Sequence, residues 1–115
     1  MNTTTVGRMG EQIACKHLQT NGYEIVERNY RAARGEIDII AKKGMHLAFV
    51  EVKTRRNYYF GYAAEAVSFK KQQRIVSAAR AFLMSYKAYE DISFDVCEVY
   101  TGDRSINYIE NAFYA

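Results

Sequence analysis

From about Val6 to Thr20 the residues Val6, Met9, Ile13, Ala14, His17 and Leu18 recur at helical spacing, and Asn21-Gly22 supplies a stop. This pattern predicts an amphipathic first helix. Three segments rich in β-branched and aromatic residues follow, Tyr23 to Tyr30, Glu36 to Ala41 and His46 to Thr54. Breaks at Ala32 to Gly35 and Lys42 to Met45 separate them, so they read as three strands of a meander. An aromatic loop from Asn57 to Tyr62 leads into a second helix that starts at about Glu65 or Ser68 and ends at Tyr86. Its stripe of Ile75, Val76, Ala79, Phe82, Leu83 and Tyr86 keeps the 3.6-residue period. Ile92 to Tyr100 and Ile106 to Glu110 alternate as strands around the turn Thr101-Gly102-Asp103. The expected order is αβββαββ, a central mixed sheet flanked by helices.

Length adds that residues 1 to 115 form a single domain, large enough to bury a core without disulfides or a structural metal. The longest apolar runs, such as Leu47 to Val50 and Ala81 to Met84, fall far short of the roughly 20 residues of a membrane span. They are also shorter than a signal-peptide core of about 7 to 15 residues. Two cysteines, Cys15 and Cys97, are too few for a disulfide framework, and they read as small core residues in a reducing, cytoplasmic setting. The net charge of +3 hides an uneven distribution: residues 1 to 41 sum to 0, residues 42 to 74 to +6 and residues 75 to 115 to −3. Phosphates would meet the middle third of the chain.

The candidate chemistry lies in charges set within apolar strands. Asp38 stands among Ile37, Ile39 and Ile40, and Glu51 and Lys53 interrupt Phe49-Val50-x-Val52. Such charges are costly unless paired or bound to a cation. Residues two apart on a strand share a face, so Glu51 and Lys53 point the same way. A two-residue hairpin centred on 43/44 or 44/45 makes opposed residue numbers sum to 87 or 89, and either register sets Asp38 on that face. Cross-strand neighbours lie about 5 Å apart and diagonal ones about 7 to 8 Å, within the span of one divalent ion. Two carboxylates beside an ammonium suit Mg²⁺ or Mn²⁺, with the Val52 carbonyl as a further ligand and substrate phosphate completing the shell. The chemistry such a set serves is phosphodiester hydrolysis. A plain salt-bridge network on a solvated sheet face is the competing reading.

Gly35-Glu36-Ile37-Asp38 followed by Phe49-Val50-Glu51-Val52-Lys53-Thr54-Arg55 resembles the signature of the restriction-endonuclease-like superfamily, an Asp followed by Glu-x-Lys on the next strand. The chain adds Gly7-x-x-Gly10-Glu11, Gly22-Tyr23, Arg28-Asn29-Tyr30-Arg31, Lys70-x-x-x-Arg74-Ile75 and Phe94-Asp95-Val96. Over nearly its full length it resembles the YraN family of small bacterial proteins, which are similar to archaeal Holliday junction resolvases. The resemblance implies a restriction-endonuclease-like fold, with Asp38 and Glu51 as metal ligands, Lys53 as catalytic lysine and Glu11 as a further acid from the first helix. It also implies that Lys70 and Gln73 stand on the helix over the site. Ile37 replaces the proline many nucleases carry before the Asp, and Ser93 stands where a basic residue is expected.

Arg55, Arg56, Tyr58 and Tyr59 follow the site directly, and Lys70, Lys71, Gln73 and Arg74 open the second helix. Guanidinium groups mixed with aromatic rings suit a surface that pairs phosphates and stacks on bases. An aromatic lid or a dimer interface is the alternative for the loop. The expected function is a divalent-metal-dependent endonuclease on branched or junction DNA, with a two-fold homodimer suited to cutting two strands. The alternatives are a non-catalytic nucleic-acid-binding module on the same fold and a dimeric scaffold whose basic face meets an acidic protein.

Overall fold

A computed structural model describes residues 3–55 and 67–115. Helix α1 (Thr3–Thr20) is followed by strands β1 (Glu24–Ala32), β2 (Gly35–Lys43) and β3 (His46–Arg55), helix α2 (Phe69–Leu83), and strands β4 (Asp91–Tyr100) and β5 (Ser105–Phe113). The order αβββαββ is the expected one. The five strands form one mixed sheet in the order β1-β2-β3-β4-β5. Every neighbouring pair is antiparallel except β3 and β4, which run parallel because α2 lies in the connection between them. This architecture is that of a restriction-endonuclease-like domain. Among the described residues no helix is long and apolar enough to cross a membrane.

Alternation along the strands separates two cores. Leu47 and Phe49 join Ile75, Ala78 and Ala79 of α2, whereas Ala48 and Val50 join Ala14, Cys15 and Leu18 of α1. One helix therefore covers each face of the sheet. Phe49 is fully buried and meets Phe82 edge-on at 6.1 Å and Phe94 in a stack at 5.6 Å. Both cysteines are buried, unbridged core residues, as expected.

The turns set the register. Asn21-Gly22 ends α1 with Gly22 at φ 89°, and Tyr23 N–H donates to the Leu18 carbonyl at 2.9 Å. Gly44 (φ 61°) and Met45 form the β2–β3 turn, with Lys43 opposite His46. This is the 44/45 hairpin, whose opposed residues sum to 89. The β1–β2 turn is less orthodox: Ala33 (φ 51°) and Arg34 (φ 67°) both occupy the left-handed region without a glycine. Helix α2 begins one residue after Ser68, whose Oγ accepts from Lys71 N–H at 3.2 Å, so the later of the two expected starts is the observed one. At the far end of the sheet, His46 lies opposite Asp91 and bridges Asp91 Oδ1 at 2.9 Å and Ser93 Oγ at 2.8 Å. Ser93, where a basic residue was expected, takes a place in this His46 network at the end of the sheet.

Candidate active site

The β2–β3 ladder keeps its register from Lys43/His46 to Ile39/Val50 and stops there. One step further, Asp38 Oδ2 accepts the Val52 N–H at 2.8 Å, so a side chain takes the place of a ladder carbonyl. The strand also changes face here. Ile37 packs in the core under α2 while Ile39 packs in the core under α1, although residues two apart on a regular strand would share a face. On β1, the position between Arg28/Ile39 and Tyr30/Ile37 is Asn29, at φ 51°. The flat arrangement expected for Glu36, Asp38 and Ile40 is thus replaced by a kink that turns the Asp38 carboxyl toward β3. Extended residues direct N–H and C=O to the same edge, so the Val52 carbonyl faces β2 as well.

Glu51 and Lys53 follow on β3. Glu51 is 5% exposed, and its Oε1 lies 2.5 Å from Lys71 Nζ and 3.8 Å from Lys53 Nζ. Burial raises Asp38 from its ordinary 3.8 to about 7, with the Glu51 charge next in effect and the Glu11 charge adding to it; the Val52 N–H opposes the rise. Burial lowers Lys53, and the Lys71 ammonium lowers it further against the pull of Glu51. Lys71 also suffers burial, but its bond to Glu51 prevails and raises it. The result is a carboxylate pair facing an ammonium pair, each pair strained by like charge.

Glu11 reaches this group from the other helix. A β-carbon at Gly10 would overlap the Thr54 hydroxyl, so glycine lets α1 lie directly on the end of β3. Glu11 is half-buried, 3.8 Å from Arg28 Nη2, and its buried Oε1 has no hydrogen-bond partner. Asp38, Glu51, Lys53 and Glu11 are therefore brought together. Among the described residues no group of three or more His, Cys, Asp or Glu is closed around a metal position. Two carboxylates nevertheless suffice for Mg²⁺. The Glu11 oxygen that accepts no hydrogen bond and the mutual repulsion at Asp38 both fit a cation.

The expected phosphate contacts divide. Lys70 and Arg74 line a cleft beside the site, whereas Gln73 lies round the helix with Phe69, Gln72 and Val76. At 100° per residue, position 73 stands about 200° from Lys71, so Gln73 does not stand over the site as the resemblance implied. Lys71, expected as a phosphate contact, is bound to Glu51 instead. Arg55 is committed too: its Nε lies 3.3 Å from Glu98 Oε2, and its carbonyl accepts Thr101 N–H at 2.8 Å. Arg56, Tyr58 and Tyr59 lie outside the described residues.

Glu98 is the residue the sequence reading passed over. It is fully buried, opposite Lys53 in the β3–β4 pair, with Asn107 Nδ2 donating to Oε1 at 3.4 Å. Its signal was available, since Glu98 interrupts Val96-Cys97-x-Val99 just as Glu51 interrupts β3. Asp95 of Phe94-Asp95-Val96 is structural: it accepts Tyr108 O–H at 2.6 Å and Asn111 N–H at 3.0 Å where the β4–β5 register shifts.

The profile of the Uncharacterised protein family UPF0102 matches residues 10–99, which takes in Glu11, Asp38, Glu51, Lys53 and Lys71. The chain belongs to UPF0102. This is the YraN family of the resemblance. A UPF0102 protein of Clostridioides difficile (strain 630) is 46% identical, covering 98% of this chain and 100% of that protein. One of Alkaliphilus metalliredigens (strain QYMF) is 47% identical over 95% and 97% of the two chains. A third, from Caldicellulosiruptor saccharolyticus, is 45% identical over 98% and 100%.

Proposed function

We propose that this UPF0102 chain is a divalent-metal-dependent endonuclease that hydrolyses phosphodiester bonds in branched or junction DNA. The observation that carries the reading is the meeting of Asp38 and Glu51 at a kinked strand edge, with Lys53 on the same strand and Lys71 from α2. Asp38, Glu51 and the Val52 carbonyl would hold Mg²⁺ or Mn²⁺, with Glu11 assisting through the oxygen that accepts no hydrogen bond. When bound, the ion supplies Lewis acidity for a phosphoryl oxygen and for water. Asp38 must give up its proton to act as a ligand, and its rise to about 7 places that event near neutrality. Lys53 Nζ, an ammonium with a lowered pKa, positions the attacking water and stabilises charge on the phosphoryl oxygens. Val52 N–H fixes the Asp38 carboxyl. A two-fold dimer would present two such sites to two strands of a junction.

The test is Mn²⁺ or Mg²⁺ calorimetry on the wild type and on Asp38→Asn, with a labelled four-way junction added to both. The reading expects metal uptake and cutting by the wild type, neither by Asp38→Asn, and cutting lost in Glu51→Gln and Lys53→Ala with circular dichroism unchanged. Cutting that survives both of the latter changes would refute the assigned site. One observation favours the second reading, a non-catalytic nucleic-acid-binding module: the Lys71 ammonium already neutralises Glu51 where a cation would sit. That reading expects salt-dependent junction binding with no product at any metal concentration.

A further inference from the structure

We infer that the cleft between the β1–β2 turn and the start of α2 is a sequence-independent seat for the phosphodiester backbone of one nucleic-acid strand. The cleft encloses about 810 Å³ and is lined by Arg31, Arg34, Lys70, Lys71 and Arg74, with Glu36 the one acid among the described lining residues. Arg31 Nε lies 3.5 Å from Glu36 Oε2 and Lys71 is bound to Glu51, so the cations the cleft offers to phosphates are Arg34, Lys70 and Arg74. No aromatic ring stands among the described lining residues, so the cleft offers cations to phosphates and no ring on which a base could stack.

Two contacts fasten the walls of the cleft to each other, which separates it from a chance gathering of surface cations. Ser77 Oγ donates to the Ala33 carbonyl at 3.1 Å and ties the turn to the helix. A β-carbon at Gly35 would overlap the Arg74 carbonyl, so the hairpin is seated backbone to backbone on α2. Arg34 is held at φ 67°, a conformation unfavourable for any residue with a β-carbon, at the point where it lines the cleft. Glycine would relieve that backbone, yet the chain carries a guanidinium there.

The inference deepens the nuclease reading and rests on it for its location. Lys71 belongs both to the cleft lining and to the Glu51 pair, and Glu36 stands two residues before Asp38. A strand lying in the cleft therefore leads straight to the carboxylates. Its ligand chemistry is the phosphodiester backbone, which a single-stranded arm or one strand of a duplex can supply.

The test is anisotropy of a labelled single-stranded oligonucleotide, and separately of its duplex, in EDTA over about 50 to 200 mM salt. Wild-type binding should fall with log salt at about 0.7 per phosphate contact for the single strand or about 0.9 for the duplex. Arg34→Gly should reduce that slope by about one contact's worth, and Arg34→Gly with Arg74→Ala by about two. Arg34→Gly suits its backbone, so its thermal midpoint should not fall, and weakened binding cannot then be laid to misfolding. The probe whose slope responds identifies the source of the strand. Absence of metal-free binding by the wild type, or an unchanged slope in both variants, would overturn the inference. The parent reading fails separately: variant-sensitive binding without cutting keeps the cleft and removes the nuclease. Cutting with unchanged slopes does the reverse.

Discussion

Replacing Asp38 by Asn should make the metal-free protein more stable at neutral and alkaline pH. A carboxyl held at about 7 instead of 3.8 costs the folded chain about 4 kcal/mol once ionised, at about 1.36 kcal/mol per pH unit. Asn keeps an oxygen for the Val52 N–H, and that bond's preference for the charged carboxyl is already contained in the shifted value, so the net gain is about 4 kcal/mol. For a domain of this size that is on the order of 10 °C in thermal midpoint. Below the ordinary Asp value the group is protonated in both folded and unfolded chains, and the substitution should be near neutral. Between 3.8 and about 7 the folded chain holds a proton that the unfolded chain has released, so wild-type stability falls relative to the variant as pH rises. Above 7 the gap is constant. Urea denaturation of both proteins in EDTA across this range measures the gap directly. A pH-independent difference, or a variant less stable than the wild type at pH 8, would refute the account of Asp38 as a repelled carboxyl.

Gly35→Ala should cost about 2 kcal/mol or more, because the added methyl meets the Arg74 carbonyl and pushes the β1–β2 turn off α2; equilibrium denaturation reads the loss. Glu98→Gln should cost about 3 kcal/mol by leaving the Arg55 guanidinium without its buried partner, and a loss below about 1 kcal/mol would contradict that pairing. Cys97, raised to about 12 by burial and by neighbouring Cys15, should resist iodoacetamide at pH 8 in the folded protein and react in urea; alkylation followed by mass spectrometry decides. Ala33→Gly should stabilise by about 0.5 to 1 kcal/mol, since glycine accepts φ 51° without a β-carbon penalty.

The sequence was informative wherever local chemistry decides. Gly44 and the apolar alternation on either side of it narrowed the pairing to two registers that share one face, and the observed one of the two brings Asp38 to Glu51. Charges inside apolar strands marked Asp38, Glu51 and Lys53, and the same rule applied to β4 marks Glu98 and Asp95. What stayed hidden depends on docking. Lys71 looked like its neighbours Lys70 and Arg74, and only the seating of α2 on the sheet turns it to Glu51. The face change at Asp38 involves Asn29 in a left-handed conformation on another strand, and no two-residue period predicts it. Arg31 and Arg34 come to one cleft with Lys70 and Arg74 only when the turn is laid against the helix.

The bond from Val52 N–H to Asp38 gives this protein a reporter of its own. Most strand amides donate to a carbonyl whose charge never changes, but this one donates to a carboxyl that titrates. Its proton resonance should shift as Asp38 ionises, and shift again when a cation arrives at the same oxygens. A single backbone signal in a nitrogen-labelled sample can thus follow protonation and metal uptake at the site, without an added dye or a substrate.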